Sequence, residues 1–320
     1  MRNIVSIAAE RQLVNETIRG FFKSRGFVDV ETPIVVASPD VSPNLMPFET
    51  NVIEPDGKTH HAALITSPEF SMKKLLGSGL EKIFSITKVF RNNESLGGNH
   101  NPEFSMLEWY EQGIDYERGM EQTESLVRAV FKAFERDLPG FARLRVRDAF
   151  LDRVGIDLDH ASADDLRAAC EKHGIHTDSS DTESDLYYRL FLAKIEPELG
   201  PAPVFVYDYP THQAALAALT PDGKYAQRFE LYIGGLELCN AFTELTNAQE
   251  QRVRFEGELE ERRRLGKATF PVDENLLALL PSVRHPTFGN ALGIDRLHML
   301  AAGKSKIEDV LLFPAKELFS

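Results

Sequence analysis

Cysteine is scarce in this chain of 320 residues. Cys170 and Cys239 are the only two cysteines, and they form no CxxC pair. Disulfide frameworks and zinc knuckles require several cysteines at short, regular spacings. The sequence therefore indicates neither of these two kinds of protein.

An excess of positive charge and long apolar runs are also missing. Lys and Arg number 36 against 49 Asp and Glu, which gives a formal net charge of −13. An extensive nucleic-acid surface needs Lys and Arg to replace phosphate counterions, so the composition argues against one but leaves room for a local basic site. No apolar run approaches the ~20 residues of a membrane span, and the N-terminal segment lacks the apolar core of a signal peptide. We therefore expect a cytoplasmic protein that does not associate with membranes.

The sequence also has no Walker loop, no GxGxxG motif and no regular alternation of strands with helices, which disfavours nucleotide-binding folds built on parallel sheets. The first part of the chain has a mixed pattern instead. Residues 4–25 have the apolar spacing of a helix that ends at Gly26, and FVDVETPIVV is predicted as a strand broken by Pro33. Further strands are predicted in NVIEP, HHAALITSP, KIFSITKVF and FSMLEWYEQ, with a helix at residues 69–77.

The segment from about residue 115 to 200 differs in character, because it is highly charged and mostly helical in pattern. Strand patterns return in VFVYDYP, AQRFELYI and LELCNAFTEL, and a helix at 247–266 and a strand–helix unit after Pro286 complete the chain. With 42% apolar residues a large core is possible. We predict an α+β fold over residues 1–320, in which one antiparallel sheet flanked by helices is interrupted by a helical insertion.

A tight hairpin in FELYIGGLELC places two carboxylates near each other. Gly234-Gly235 is a two-residue turn of the kind that accepts positive φ, and it aligns Tyr232 with Glu237. Glu230 and Glu237 then lie on one sheet face as diagonal neighbours. Oxygen ligands with room for water suit Mg²⁺, whereas a solvated polar face is the simpler interpretation of the hairpin alone.

Further polar residues on the next strand are out of phase with Glu237. Asn240, Phe242 and Glu244 have the opposite parity, so they point to the other face of a regular strand. If they share a pocket with Glu237, the strand must bulge or bend between residues 237 and 240.

Two other candidate residues have ordinary alternatives. Gly293 precedes Arg296 at a predicted helix start, where the glycine permits close approach of a ligand and the arginine can reach a phosphate; an ordinary surface arginine is the alternative. Ser67 lies before a predicted helix, so it can contact a ligand or simply cap the helix.

The stretch RNNESLGGNHNPEFSMLEWYE, residues 91–111, joins a cation, a Gly-rich loop, aromatics and carboxylates. In this order with GFVDVETPIV, TSPE, LELCNAFTEL and ALGIDRL, the chain resembles the catalytic domain of class II aminoacyl-tRNA synthetases, and among them the lysyl-tRNA synthetases. GFVDVETPIV is similar to the dimer-forming first motif, FRNNE through HNPEFSMLEWY to the second, and ALGIDRL to the third. The resemblance covers nearly the whole chain and implies a single catalytic domain that forms a homodimer.

The chain is most similar to a paralogue branch of the lysyl-tRNA synthetases whose members modify translation elongation factor P. In the synthetases an anticodon-binding domain precedes the first motif, whereas here this motif begins within 30 residues of the first residue, so we expect no anticodon-binding domain. The third motif has Ala291 where the synthetases usually have Gly, and the branch with this Ala uses (R)-β-lysine. The resemblance implies activation of (R)-β-lysine or lysine with ATP and Mg²⁺, transfer to a lysine of elongation factor P, and no role for tRNA.

The resemblance also implies roles for individual residues. Arg91 and Arg296 would be catalytic, with Arg91 on the α-phosphate and Arg296 stacking on adenine opposite Phe104. The nucleotide site would consist of Arg91, Asn93, His100, Asn101, Phe104, Glu237, Leu238, Gly293 and Arg296. The amino-acid site would consist of Ser67, Glu69, Glu108, Tyr110, Asn240, Glu244 and Ala291, with Glu108, Tyr110, Asn240 and Glu244 around the side-chain ammonium. Glu230 and Glu237 would position the metal.

Two features depart from the family pattern. The family usually has Arg-x-Glu, whereas Asn93 stands at the third position here and Glu94 follows one place later. The loop SLGGN is one residue longer than expected, and no arginine precedes His100.

Two other functions are compatible with the sequence. The chain can be an activating enzyme with a tRNA or a small molecule as acceptor, although the net charge of −13 weighs against tRNA. It can also be a non-catalytic regulatory paralogue, but that reading predicts loss of Arg91, Arg296 or Glu237, and all three are present.

Overall fold

The computed structural model describes residues 3–214 and 216–319. The helices are α1 (Ile4–Lys23), α2 (Glu69–Gly77), α3 (Tyr116–Ala133), α4 (Val146–Arg153), α5 (Ala163–Lys172), α6 (Glu183–Leu190), α7 (Ala248–Arg264), α8 (Glu274–Leu279), α9 (Ile294–Ala301) and α10 (Ala315–Leu318). The strands are β1 (Val28–Asp29), β2 (Val35–Val36), β3 (Glu49–Ile53), β4 (Thr59–Leu64), β5 (Lys82–Phe90), β6 (Glu103–Gln112), β7 (Ala142–Arg145), β8 (Val204–Pro210), β9 (Tyr225–Ile233), β10 (Leu236–Thr243) and β11 (Thr287–Gly293). Within these ranges no helix is both long enough and apolar enough to span a bilayer.

An eight-stranded sheet organises the molecule, in the order β1-β5-β6-β11-β10-β9-β8-β7. Its central pairs are antiparallel, and only the outermost pairs, β1 with β5 and β7 with β8, are parallel. Gly234 and Gly235 form the predicted tight turn between β9 and β10, with φ of 65° and 73°, a conformation that glycine adopts without a Cβ clash. The predicted α+β fold, an antiparallel sheet flanked by helices, is confirmed. The structure differs from the prediction in that the outermost strand pair at each edge of the sheet is parallel.

The strand predicted in FVDVETPIVV, with a break at Pro33, is divided in the structure at that proline. The structure has two two-residue strands there, and they belong to different sheets: β1 pairs with β5, whereas β2 joins β4 and β3 in a second, three-stranded sheet. Pro33 lies between them, and proline cannot donate to a strand ladder, so the chain changes sheet at this point.

The two faces of the large sheet have different neighbours, because side chains alternate along each strand. On one face, residues such as Leu107, Phe229 and Leu292 are buried against α1, α3 and α9 in an apolar core. Helix α3 can lie close to this face because its Gly119 leaves room for Phe288, whose nearest ring atom would be 2.2 Å from an added Cβ. The alternate residues of β6, β9, β10 and β11 point to the opposite face and line a cavity.

The segment between β6 and β8 packs in two parts. Helix α3 belongs to the main core, whereas α4, α5 and α6 contribute to a second apolar cluster that includes Phe150, Leu166 and Tyr187. Helix α6 also reaches the cavity through Ser184 and Tyr188. The partition of the chain into a catalytic domain with an insertion at about 115–200 stays a prediction.

Candidate active site

A single cavity of about 730 Å³ lies on the face of the large sheet that is opposite to α1, α3 and α9. Arg91, Glu237, Glu244 and Arg296 all line it, although they come from distant parts of the sequence. Of the residues that the sequence singled out, the lining contains Ser67, Glu69, Arg91, His100, Asn101, Phe104, Glu108, Tyr110, Glu230, Glu237, Leu238, Asn240, Glu244, Ala291, Gly293 and Arg296. Every predicted site residue except Asn93 therefore meets in one place.

Asn93 lies outside this lining, and its neighbour Glu94 lies within it. Asn93 has a φ of 60°, and its side chain is exposed. Asparagine tolerates this left-handed conformation better than most residues, and the resulting turn brings the next residue to the cavity wall. The predicted contact of Asn93 with the nucleotide thus has no support in the geometry, and Glu94 occupies the position beside Arg91.

The predicted bulge in β10 is confirmed. Glu237 is opposite Tyr232, but Cys239 is opposite Leu231, so Leu238 is the extra residue. One inserted residue reverses the parity of the strand, since side chains alternate with a period of two. Glu237 before the bulge and Asn240 after it can therefore both line the cavity.

Arg296, near the start of α9, is held by three contacts. Its Nη1 donates to the carbonyl of Glu237 at 2.7 Å, its Nε to the carbonyl of Asn99 at 3.3 Å, and its Nη2 lies 3.1 Å from Nε2 of His100. Partial burial lowers the pKa of His100, and the adjacent charge of Arg296 lowers it further, which favours the neutral imidazole. A neutral imidazole can accept a hydrogen bond from the guanidinium. These contacts fix the guanidinium at the cavity wall.

Arg91, directly after β5, has a different environment. Its guanidinium carbon lies 5.2 Å from the centre of the Phe104 ring, within cation–π range. Its Nε is buried and has no hydrogen-bond partner among the described residues. Burial lowers the pKa of Arg91, with Glu237 acting in the opposite direction. A buried donor without a partner is costly, so this N–H group is suited to an anionic ligand.

Asn101 lines the cavity, but its side-chain amide is already used within the protein. Its Nδ2 donates to the carbonyl of Glu103 at 2.6 Å, and its Oδ1 accepts from the backbone N–H of Ala315 at 2.8 Å. The backbone N–H of Ile307 also donates to the carbonyl of Gly98 at 2.9 Å. The amide of Asn101 therefore anchors the loop to the C-terminal segment, and this geometry leaves little of it for a nucleotide.

Buried carboxylates occupy the other end of the cavity. Glu108 is 1% exposed, and its two oxygens accept from the hydroxyls of Ser67 and Tyr110, each at 2.6 Å. Burial, reinforced by the charge of Glu69, raises the pKa of Glu108 to about 8. Glu244 is also 1% exposed, and its Oε1 has no hydrogen-bond partner in the described part of the chain. A buried carboxylate oxygen without a hydrogen-bond partner is suited to a cationic N–H donor.

Lys73 belongs to this acidic cluster and was missed by the sequence analysis. Its Nζ lies 2.6 Å from Oε1 of Glu69 and 2.5 Å from Oε2 of Glu244, and the residue is 2% exposed. Burial acts to lower the pKa of Lys73, but Glu244 and Glu69 outweigh it and raise the pKa above its usual value. The i,i+4 spacing of Glu69 and Lys73 on α2 was the available signal, although such pairs are commonly on the surface.

Arg228 is a second residue that the sequence analysis missed, and it organises Glu230. The carboxylate of Glu230 accepts from Arg228 Nη2 at 2.6 Å, from the Tyr209 hydroxyl at 2.6 Å and from the Tyr232 hydroxyl at 2.7 Å. Because these donors occupy both oxygens and one donor is a cation, the geometry disfavours Glu230 as a direct metal ligand.

Glu237 is the more open of the two predicted metal ligands. Burial, and next the charge of Glu230, raise the pKa of Glu237 to about 7, while Arg296 and Arg91 act to lower it. Across residues 3–214 and 216–319, no group of three or more His, Cys, Asp or Glu side chains is arranged to hold a metal ion. A metal held by Glu237 would therefore need further ligands from a bound phosphate or from water.

Arg228 also determines how Asn240 faces the cavity. Its Nε donates to Oδ1 of Asn240 at 2.9 Å, which leaves the Nδ2 group of the amide as the free polar end. An N–H donor repels an ammonium group and suits a carboxylate or phosphate oxygen. This geometry disfavours the predicted place of Asn240 around the substrate ammonium.

Gly289 in β11 is a third residue that the sequence analysis missed. A Cβ built at this position would be 2.0 Å from Oε1 of Glu244 and 2.5 Å from Cε1 of Tyr110. Only glycine therefore leaves space for both side chains at the cavity wall.

Alanine at Gly289 should displace Glu244 or Tyr110 and reduce amino-acid recognition. We expect Gly289→Ala to raise the KM for the amino-acid substrate at least about tenfold, because the displaced side chains no longer bind the substrate in the same geometry. A tenfold change corresponds to a loss of roughly 1.4 kcal/mol of binding free energy. Gly140→Ala is the matched control, since a Cβ there has no neighbour within 4 Å. Steady-state kinetics of both variants test this, and an unchanged KM for Gly289→Ala would contradict the assignment.

Comparison with known proteins places this chain in a family. A model of the family described as tRNA synthetases class II (D, K and N) matches residues 2–317, which is nearly the whole chain. The chain belongs to this class II tRNA synthetase family. The class II assignment agrees with the position of the three predicted motifs, which supply β1, the β5–β6 hairpin and the β11–α9 unit.

Individual relatives within the class II family carry a more specific name. An "Elongation factor P--(R)-beta-lysine ligase" of Yersinia enterocolitica is 40% identical over 313 residues, covering 95% of this chain and 94% of the relative. Proteins of the same name from Haemophilus influenzae and Pseudoalteromonas translucida are 39% and 40% identical over 307 and 318 residues. They cover 95% and 97% of this chain and 93% and 95% of their own lengths.

Proposed function

We propose that this class II protein activates (R)-β-lysine, or lysine, as an aminoacyl-adenylate and transfers it to the ε-amine of a lysine on translation elongation factor P. One observation carries the proposal: a single cavity joins the N–H group of Arg91 that has no protein partner to the carboxylates of Glu69, Glu108 and Glu244, of which Glu108 and Glu244 are buried. Such a cavity suits a ligand with an anion at one end and an amine at the other. The names of the relatives supply the amino acid and the acceptor protein.

The residues around Arg91 fit ATP. The unpartnered Nε of Arg91 suits a phosphate or carboxylate oxygen, and the neighbouring Phe104 ring suits a purine base. In activation, a carboxylate oxygen of the amino acid bonds to the α-phosphorus while the bond to the pyrophosphate oxygen breaks. The carboxylate is already an anion, so this step needs no general base. Arg91 and Arg296 would align the two reactants and stabilise the negative charge that develops on the α-phosphate.

The residues also fit one Mg²⁺ ion through Glu237. Mg²⁺ is commonly bound by one or two carboxylates together with substrate phosphates, and it would neutralise phosphate charge there. Glu230 would act differently, because Arg228, Tyr209 and Tyr232 already occupy its oxygens. We assign Glu230 the role of holding Arg228 and the β9 wall in place.

The charges of the amine pocket favour a substrate with more than one ammonium group. Glu69, Glu108 and Glu244 face only Lys73 as an internal cation at this end of the cavity, within the part of the chain that the structure describes. When Glu69, Glu108, Glu244 and Lys73 are all ionised, these three carboxylates and one ammonium together carry a net charge of about −2. A lysine isomer has two ammonium groups, so it balances this charge, whereas a neutral side chain leaves buried carboxylates unpaired.

Ala291 lies where it can select between lysine isomers. In the sheet it is opposite Glu108 on one side and opposite Asn240 on the other, so its methyl group is on the pocket wall between them. Ala291→Gly should enlarge the pocket by one methyl group and shift the preference from (R)-β-lysine towards L-α-lysine. We expect the ratio of their kcat/KM values to change about tenfold, since one methyl group is worth roughly 1–3 kcal/mol in substrate discrimination. Pyrophosphate exchange with each isomer tests this, and an unchanged ratio would remove Ala291 from the specificity determinants.

Two assays test the proposed function directly. ATP–pyrophosphate exchange with each lysine isomer measures activation, and we expect (R)-β-lysine to be the faster substrate. Mass spectrometry of elongation factor P after incubation with enzyme, ATP and each isomer should show one added lysyl residue on a single lysine. Efficient charging of purified tRNA, or ATP turnover that depends on no amino acid, would reject the proposal. We further propose a homodimer and a cytoplasmic location, which sedimentation and cell fractionation can test.

A further inference from the structure

Lys73 is a deeply buried cation at the amine end of the cavity. It projects from α2, where Glu69 is one turn earlier, and it meets Glu244 just beyond the end of β10. Its Nζ also lies 5.3 Å from the centre of the Phe242 ring. Two buried carboxylates therefore share one ammonium, and this ammonium links the helix to the sheet.

Other charged groups surround this triad. Glu108 faces both Lys73 and Glu244 from β6, and Tyr110 lies beside it. Asp40 faces Lys73 and Glu69 from the segment after β2. Acidic groups therefore outnumber Lys73, which must stabilise more than one of them.

We propose that Lys73 is a positioning residue for amine recognition, which favours the ionised form of Glu69 and Glu244 and leaves Oε1 of Glu244 without a protein partner, so that this oxygen can accept from the substrate ammonium. Lys73 contacts Oε2 of Glu244, whereas Oε1 of the same carboxylate has no partner in the described ranges and is directed at the space above Gly289. The inference rests on the proposed function, because it assigns Lys73 a role in binding that substrate. The side chain of Lys73 is outside the cavity lining, so it acts through Glu244.

The charge of Lys73 should determine the pH range in which the pocket binds an amine. Burial raises the pKa of Glu244 to about 8, while Lys73 is the main influence that lowers it and Glu69 raises it further. An ammonium substrate needs the ionised carboxylate, so its binding strengthens as the pH rises through this pKa. Without Lys73 the pKa rises, and the gain in binding moves to higher pH.

The test is the pH profile of kcat/KM for (R)-β-lysine in pyrophosphate exchange, because this parameter reports groups of the free enzyme. For Lys73→Met we expect the midpoint of the acidic limb to move up by about one pH unit or more, since a nearby opposite charge shifts a pKa by roughly 1–3 units. At neutral pH this equals a loss of about tenfold in kcat/KM. The loss should come from a higher KM for the amino acid, whereas the KM for ATP should not change. Lys73→Arg keeps the charge and should keep the wild-type midpoint.

Lys74→Met is the matched control. Lys74 is the next residue of α2 and is also ion-paired, with Asp273 at 2.7 Å, but it is outside the cavity. Its loss should leave the midpoint unchanged. A uniform fall in the activity of Lys73→Met at every pH, with no shift of the midpoint, would reduce Lys73 to a structural residue and overturn the inference.

A second variant covers the case in which Lys73→Met does not fold. The double variant Lys73→Met with Glu69→Gln removes one charge of each sign, so the net charge of the pocket is unchanged. Because Lys73 lowers the pKa of Glu244 and Glu69 raises it, the two losses partly compensate, and we expect the midpoint to lie less than about one pH unit above that of the wild type. A midpoint that rises by a full unit in this charge-balanced variant would contradict the inference. Failure of the proposed function is distinguished by the wild-type enzyme, which would then show no exchange with any lysine isomer.

Discussion

Replacing Arg91 by alanine should lower kcat for adenylate formation by about 10²–10³-fold, the usual effect of losing one preorganised donor to transition-state charge. Negative charge develops on the α-phosphate as the carboxylate attacks, and Arg91 offers a buried N–H group without a protein partner. Its electrostatic effect is strengthened because burial removes competing water. The loss should appear in kcat of pyrophosphate exchange more than in the KM for ATP, since the contact is strongest in the transition state.

Two further variants make the Arg91 result specific. Arg91→Lys keeps a positive charge but loses the planar fork of donors, so we expect only partial recovery. Arg143→Ala removes an exposed arginine of β7 that lies outside the cavity, and it should retain wild-type activity. If Arg91→Ala retained more than about a tenth of the wild-type kcat, Arg91 would not be the residue that stabilises the transition state.

Much of the fold could be predicted because its determinants are local. The Gly234-Gly235 turn set the pairing of β9 with β10, and alternation of polar and apolar residues identified β6. The mismatch in parity between Glu237 and Asn240 even required the bulge that the structure contains. By contrast, the divided strand around Pro33 depends on which sheet each half joins, and short-range patterns contain no information about that choice.

The missed site residues depend on contacts between distant segments. Lys73 looks like a surface lysine of a short helix, and only the end of β10 explains its burial with Glu244. Glu230 looks like a free carboxylate until β8 brings Tyr209 against it. Gly289 has an ordinary φ and no turn around it, so only the neighbouring side chains explain why it is glycine.

Removing the charge of Glu244 should produce the second largest effect, and one that differs by substrate. For Glu244→Gln we expect kcat/KM for (R)-β-lysine to fall about 100-fold, because a charge-assisted hydrogen bond contributes roughly 1.5–3 kcal/mol and Lys73 would also lose one of its two counterions. The activity towards an amino acid with a neutral side chain should change much less, so the selectivity for a lysine-like substrate falls.

Glu111→Gln is the matched control for this prediction, since Glu111 pairs with Lys82 at 2.6 Å but lies outside the cavity. Glu111→Gln shows the effect of disrupting a carboxylate–lysine pair outside the cavity, whereas Glu244→Gln disrupts the pair that faces the substrate. The KM for ATP should stay within about twofold in both variants, because Glu244 lies at the amine end of the cavity. An equal loss of activity with charged and neutral amino acids would show that Glu244 supports the fold of the pocket without recognising the amine. The argument that the charge of the pocket selects a lysine-like substrate would then be contradicted as well.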